Sequence, residues 1–173
     1  LRIGFSPKLG FDVEVHPEVA ALVAAAVKRF EALGAIVEEV DPGFADPIDP
    51  LMTIWSAGAA LALAKVSKTD RARMDPGLVA VAEAGERLSA AQYVDALLNQ
   101  RNALALTMAH FHARFDLLLT PSLAVPAFEA GRLTPLHGRY GEDWTRWTPF
   151  SYPFNLTQQP AASVPCGLTT AGL

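Results

Sequence analysis

Hydrophobic and polar positions alternate between two periods along the first forty residues. Residues 2–5 form a short apolar run that reads as a strand, followed by a loop at 6–15 punctuated by Pro7 and Gly10. His16, Pro17 and Glu18 then have the form of a helix start, with proline at the first helical position and an acid in the first turn. Val19, Leu22, Val23, Ala26, Val27, Phe30 and Leu33 follow at spacings of three and four, one apolar stripe of an amphipathic helix, and Gly34 supplies its stop. Residues 35–40 carry the β-branched Ile36, Val37 and Val40 and end in a turn at Asp41, Pro42 and Gly43. Strand, helix and strand in this order predict a βαβ unit with parallel strands and a right-handed crossover.

Further on, Asp49 and Pro50 open a second predicted helix, which runs through Trp55 and an Ala/Leu-rich stretch to about Val66. Polar residues at 67–75 break it, and a short helix is expected over 76–87. Ser89 and Gln92 have capping-box spacing and open a long helix whose face is Tyr93, Leu97, Leu104, Met108, Phe111 and Phe115, interrupted by the polar Gln100 and Arg101. Residues 116–120 read as a buried strand ended by Pro121. Loop with at most short helices is expected from 122 to 148, a helical turn near 150–156, and a last strand at 162–165.

Composition narrows the class. A chain of 173 residues, 51% hydrophobic and 18% charged, is of single-domain size, and its net charge of −4 is too small for disorder. A pI near 5.5 argues against a nucleic-acid partner, which would need clustered Lys and Arg. The longest charge-free helical stretch, 50–64, is shorter than the roughly 20 residues that cross a bilayer, so no membrane span is expected. No signal peptide is visible, and the single Cys166 leaves no internal disulfide; a cytoplasmic protein is expected. Every residue from Trp147 to Leu173 is uncharged, and the prolines there forbid a membrane helix. Such a tail is expected to be covered, as in a piece of a longer protein cut at both ends.

Candidate chemistry is sparse. His110 and His112 point about 200° apart on one helix and cannot share a metal, and neither His16 nor His137 has a ligand-type neighbour at metal spacing. No metal site is expected, and with no phosphate-cradling glycine motif no cofactor is either. Ser6, Pro7 and Lys8 lie just beyond the end of the first strand, where open α/β sheets bind ligands, but nothing nearby would activate a Ser–Lys dyad. Ser89 is a helix cap, and Cys166 is expected to be a small buried hydrophobe. Glu38 and Glu39 end a strand and so face opposite ways. Glu142 and Asp143 stand beside Trp144 and Trp147, a combination suited to a sugar or amine pocket, although solvated loop acids are commoner.

In the C-terminal half the string itself is distinctive. Asp116, Leu117, Leu118, Leu119, Thr120 and Pro121, then Val125 and Pro126, and then PFNLTQQPAASVPCG at 153–167 resemble the C-terminal part of the amidase signature family. The opening Leu1, Arg2, Ile3 and Gly4, the helix end at Leu33, Gly34 and Ala35, and the strand Val37 to Val40 fit the same family in the same order. That resemblance implies an α/β fold, the C-terminal portion of a mixed β-sheet flanked by helices, beginning with the βαβ unit. It also implies that residues 1–173 are a single segment of a truncated amidase domain.

In that family a lysine and two serines of the N-terminal half carry the chemistry, the serines in a Gly/Ser-rich run that this chain lacks. No catalytic residue is therefore assigned, and the chain alone is expected to be inactive. The parent would hydrolyse a small carboxamide through an acyl-serine intermediate, with the missing N-terminal half as this segment's partner. The wall of the acyl or amine pocket is expected from Trp144, Trp147, Phe150 and Asn155, with plain core as their alternative role. One departure is Gln158, where the family usually has a glycine suited to positive φ. Two other outcomes remain open: a non-catalytic ligand- or partner-binding α/β module, and an amidotransferase A-type subunit. Unpaired sheet edges would also let the chain self-associate.

Overall fold

The computed structural model describes residues 1–141 and 144–173, and the chain divides into two compact units, Leu1–Asp46 with Leu106–Leu173, and Pro47–Ala105. In the first unit, strands β1 (Arg2–Phe5), β2 (Ile36–Glu39) and β3 (Leu117–Leu119) form a parallel sheet in the order β2-β1-β3. Helix α1 (Pro17–Ala32) connects β1 to β2, as the βαβ pattern predicts. His16 caps it, its Nδ1 accepting from the Glu18 N–H at 3.3 Å, and Gly34 leaves it at φ +89°. Val23 and Val27 are its buried core face. The predicted stripe overreaches at one end: Leu33 is 84% exposed, because it caps the helix and has turned out of the apolar face.

Side chains alternate across the sheet. Gly4 points to Phe111, and a Cβ there would lie 2.4 Å from the ring, so only glycine lets that aromatic close onto β1. Met108, Phe111 and Phe115 form a cluster on which Val40, Phe44, Leu118 and Phe154 pack. Glu38 reaches Arg114 at 3.7 Å and Arg2 at 3.9 Å, while Glu39 lines a cavity beside α1. The adjacent acids thus face opposite ways, as strand geometry requires.

Two strand expectations are corrected. The segment expected to be a buried strand at 116–120 is the shorter β3, with Leu117 47% exposed, because β3 has β1 as its single neighbour and lies at the sheet edge. Residues 162–165 form no strand; Val164 is 72% exposed, and without a partner strand that segment has no ladder to complete. Cys166 is half-buried rather than buried.

The segment after β3 turns back onto the core. Helix α7 (Tyr152–Thr157) forms near the predicted turn, burying Tyr152, Pro153 and Leu156. Tyr152 Oη donates to Asp46 Oδ1 at 2.8 Å. Gln158 ends α7 at φ +57°, ψ +24°, a left-handed conformation that charges a Cβ-bearing residue about 1 kcal/mol. Gln158→Gly is therefore expected to raise the stability of the chain by about 0.5–1 kcal/mol, read from urea unfolding, whereas Gln158→Ala should give no such gain.

Beyond α7 the tail runs back to α1. The Thr170 N–H and hydroxyl donate to the two oxygens of Glu18 at 2.7 and 3.0 Å. These bonds, the backbone one first, hold the Glu18 carboxyl below the usual glutamate range. Because the folded value is depressed, the clasp is complete above the ordinary glutamate pKa and is lost as pH falls through the lower folded value. The Thr170 amide resonance should accordingly titrate with a midpoint below that of an ordinary glutamate. Glu18→Gln should abolish the titration; a midpoint at or above the ordinary value would contradict the clasp.

The second unit is helical. Helices α2 (Ile48–Leu63) and α4 (Pro76–Glu86) lie where the sequence predicts them, and α3 (Lys68–Arg71) is an unexpected single turn within the polar break. Ala59, Leu63 and Ala82 form the buried cluster between α2 and α4. Arg71 fastens the end of α2, donating to the carbonyls of Leu63 and Val66 and to Glu86. The long third helix is uninterrupted in sequence but not uniform: α5 (Ala90–Val94) passes through a π-helical turn (Asp95–Gln100) into α6 (Arg101–His112). The expected capping box of Ser89 and Gln92 is present. Asp95 accepts from Asn99 Nδ2 at 2.7 Å and Gln100 Nε2 at 2.6 Å, the i+4 and i+5 contacts that fit a widened turn. The extra residue rotates the face, so Ala96 is buried while Tyr93 is 37% exposed, a correction to the uniform stripe.

Candidate functional site

All three parallel strands end at one edge of the sheet, and the order β2-β1-β3 places the switch in chain direction beside β1. Open α/β sheets bind ligands at such a point. The loop leaving β1 is tightly held. Ser6 is fully buried; its Oγ donates to Asp41 Oδ1 at 2.8 Å and accepts from the Leu9 N–H at 3.0 Å, while its own N–H donates to the Leu119 carbonyl. That network holds Leu9 at φ +58°, rare for a branched residue, with its side chain fully buried in the core. Ser6 is thereby a structural clamp, committed in both hydrogen-bonding directions, and Lys8 makes no bond to it. No lysine amine hydrogen-bonds to a serine among the described residues.

The clamp shapes a cavity of about 550 Å³ at the strand ends. Phe5, Val13, Val15 and Pro121 give it apolar walls, and Lys8, Glu14, Glu39 and Arg139 give it charge. Arg139 is committed to Asp12 at 3.1 Å and Glu14 at 3.7 Å, and its own N–H donates to Glu14 Oε2. Tyr140 Oη donates to the Glu14 carbonyl at 2.9 Å. Burial, and then the Glu14 charge, push that phenol above its ordinary value, so it remains a donor at neutral pH. A second cavity of about 330 Å³ is bounded by residues 125–140 and by His16, with Phe128, Glu129, Arg132 and His137 in its lining.

The four residues expected from the sequence lie in different settings. Phe150 is 3% exposed, inside the cluster of Leu9, Phe11, Val13, Ala124, Val125 and Tyr140. Trp147 is half-buried against the same cluster, edge-on to Phe128 at 5.3 Å, with Nε1 donating to the Leu133 carbonyl. Trp144 opens the 3₁₀ turn Trp144–Trp147 and is half-buried, and Asn155 is exposed on α7. None of the four lines either cavity. Glu142 and Asp143 lie outside the described residues.

His16 serves as the α1 cap, His112 Nδ1 lies 3.3 Å from the Phe115 carbonyl, and His137 lines the smaller cavity. No group of three or more His, Cys, Asp or Glu suited to a metal occurs among the described residues. No helix among them is long and apolar enough to cross a membrane. Sequence reasoning missed Glu14, Arg139 and Pro121 as cavity residues. Pro121 was findable from the parallel strand ends, whereas Arg139 reaches the site through a loop with no periodic signal.

Comparison with known proteins decides the family, since the amidase family model matches residues 1–173. The chain belongs to the amidase family. An acylamidase of Rhodococcus erythropolis is 32% identical over 99% of this chain and 36% of its own length. The A-type subunit of a glutamyl-tRNA(Gln) amidotransferase from Synechococcus sp. (strain CC9605) is 36% identical over all of this chain and 39% of its own. Among solved structures, a bacterial aryl acylamidase of the amidase signature family superposes with a TM-score of 0.77 at 27% identity, covering 98% of this chain and 37% of that one. A 6-aminohexanoate cyclic dimer hydrolase has the same fold, with a TM-score of 0.83 at 22% identity over 99% of this chain and 39% of that one. This amidase-family chain thus spans well under half the length of the relatives it matches.

Proposed function

We propose that this chain is the C-terminal portion of an amide hydrolase that cleaves a carboxamide C–N bond to an acid and ammonia or an amine through an acyl-serine intermediate. The observation that carries this is the family match over all 173 residues. The serine of the clamp is already committed, and no Ser–Lys contact exists among the described residues, so the nucleophile and its proton relay are assigned to the part of the parent not included in this chain. Hydrolysis needs preorganised donors for the oxyanion as well as the nucleophile, and both belong to that part. Residues 1–173 supply scaffold and pocket wall, with Trp144, Trp147 and Asn155 as the wall, Phe150 in its alternative role as plain core, and a small amide as substrate. A cytoplasmic place of action belongs to the same proposal, supported by a single cysteine with no partner for an internal disulfide.

The test compares the parent protein with the isolated chain on a simple anilide and an aliphatic amide. The parent is expected to release amine or ammonia, and the chain alone to give no turnover above background. Amide hydrolysis by residues 1–173 alone would overturn the assignment. The similarity to an amidotransferase of the tRNA-dependent kind supports a second reading, in which the parent delivers ammonia to a partner enzyme. Hydrolysis by the parent without other subunits favours the simple amidase, and activity that appears only with partner subunits favours the transferase.

The isolated chain is also expected to self-associate. Strands β2 and β3 form the sheet edges, with Ile36 66% and Leu117 47% exposed on them. Sedimentation velocity should show a weight-average mass that rises with concentration above 18.5 kDa; a strict monomer would contradict the prediction.

A further inference from the structure

The larger cavity carries two charges that nothing else in the fold uses. Glu14, Arg139 and Asp12 satisfy one another, and Ser6 is held by Asp41. Lys8 and Glu39 line the same cavity, yet neither side chain makes an ion pair or hydrogen bond among the described residues, with the other or with any other group. Their positions are fixed by independent parts of the fold. Lys8 sits on the clamped loop after β1, between buried Ser6 and buried Leu9. Glu39 sits at the end of β2, in register with Phe5 on β1. Phe5, Val13 and Pro121 add apolar surface to the lining of the same cavity.

We propose that this cavity binds a small zwitterion, an amino acid-like molecule whose carboxylate meets Lys8, whose ammonium meets Glu39, and whose short hydrocarbon segment lies on Phe5 and Val13. A volume of about 550 Å³ is within the range of small-molecule sites, which combine apolar walls with a few convergent polar groups. A singly charged molecule would satisfy one group and leave the other unpaired on the same rim. A zwitterion satisfies both at once. The site needs no nucleophile and is independent of the amide-hydrolase proposal.

The test is ligand-observed NMR and calorimetry on the 173-residue chain with glycine, 4-aminobutanoate and 5-aminopentanoate. Pentylamine and pentanoate serve as single-charge controls. A longer zwitterion is expected to bind with a dissociation constant on the order of 1 mM or below, at least about tenfold tighter than either control. Lys8→Met and Glu39→Gln should each weaken it about tenfold, while Lys28→Ala, which removes an exposed ion pair with Glu31, should leave it unchanged. Equal binding of zwitterion and controls would overturn the proposal, as would no binding at about 10 mM. Unaltered binding by the two variants would do the same. The comparison of probes on the unmodified chain decides the matter even where a variant fails to fold.

Discussion

Replacing Gly85 with alanine is expected to destabilise the helical unit by about 3 kcal/mol or more, the upper end of overpacking costs. Helices α2 and α4 meet at this glycine. A Cβ there would lie 1.9 Å from the Ser56 carbonyl oxygen, 2.4 Å from its carbon and 3.0 Å from the Ala57 nitrogen. All three are backbone atoms inside a helix, so no side chain can rotate away. The intrinsic preference of a helix interior for alanine over glycine, about 1 kcal/mol, works in the opposite direction and is too small to win. Relief requires the helices to separate, which opens the small buried cluster of Ala59, Leu63 and Ala82. Urea unfolding with amide exchange would show the loss concentrated in Pro47–Ala105. A Gly85→Ala variant as stable as the parent chain would mean that the helices do not approach this closely.

Truncating Phe115 to alanine is expected to cost about 3–5 kcal/mol. The side chain is 2% exposed and stacks on Phe111 with ring centres 4.9 Å apart. The Arg114 guanidinium lies 5.1 Å and that of Arg2 5.9 Å from its ring centre, so cation–π contacts are lost along with burial. Phe115 also anchors the entry to β3, where the Asp116 N–H donates to the Arg2 carbonyl at 2.8 Å and Asp116 Oδ2 accepts from the Arg2 N–H. Stability of domains of this kind is only about 5–15 kcal/mol, so the variant should unfold at markedly lower urea concentration. Phe115→Leu, which keeps most of the volume, should lose less than half as much. A loss below about 1 kcal/mol for Phe115→Ala would place this ring outside the core.

Glu39 marks the limit of what strand alternation can say. Alternation gives the side of the sheet it occupies, opposite to Glu38, but not that this side holds a cavity. Ser6 shows the same limit. Its position after β1 made it a candidate by location, and only the folded chain brings Asp41, distant in sequence, to its hydroxyl. For Phe150 the sequence leaves pocket wall and plain core both open, and the folded chain packs it in the core cluster, lining neither cavity.

What the sequence determined by itself was local and periodic. The 3.6-residue stripe gave α1, the capping box gave α5, β-branched runs gave β2, and the string at 153–167 gave the family, because each signal lies within a few turns of chain. The tertiary structure decided what depends on distant segments meeting. It put β3 at a sheet edge with Leu117 exposed, left 162–165 without a partner strand, and left Tyr93 exposed on α5 ahead of the π-helical turn. It also brought Lys8 and Glu39 to the lining of one cavity. Burial and pairing are properties of the neighbours a residue acquires, and those neighbours are set by packing between segments that no local pattern encodes.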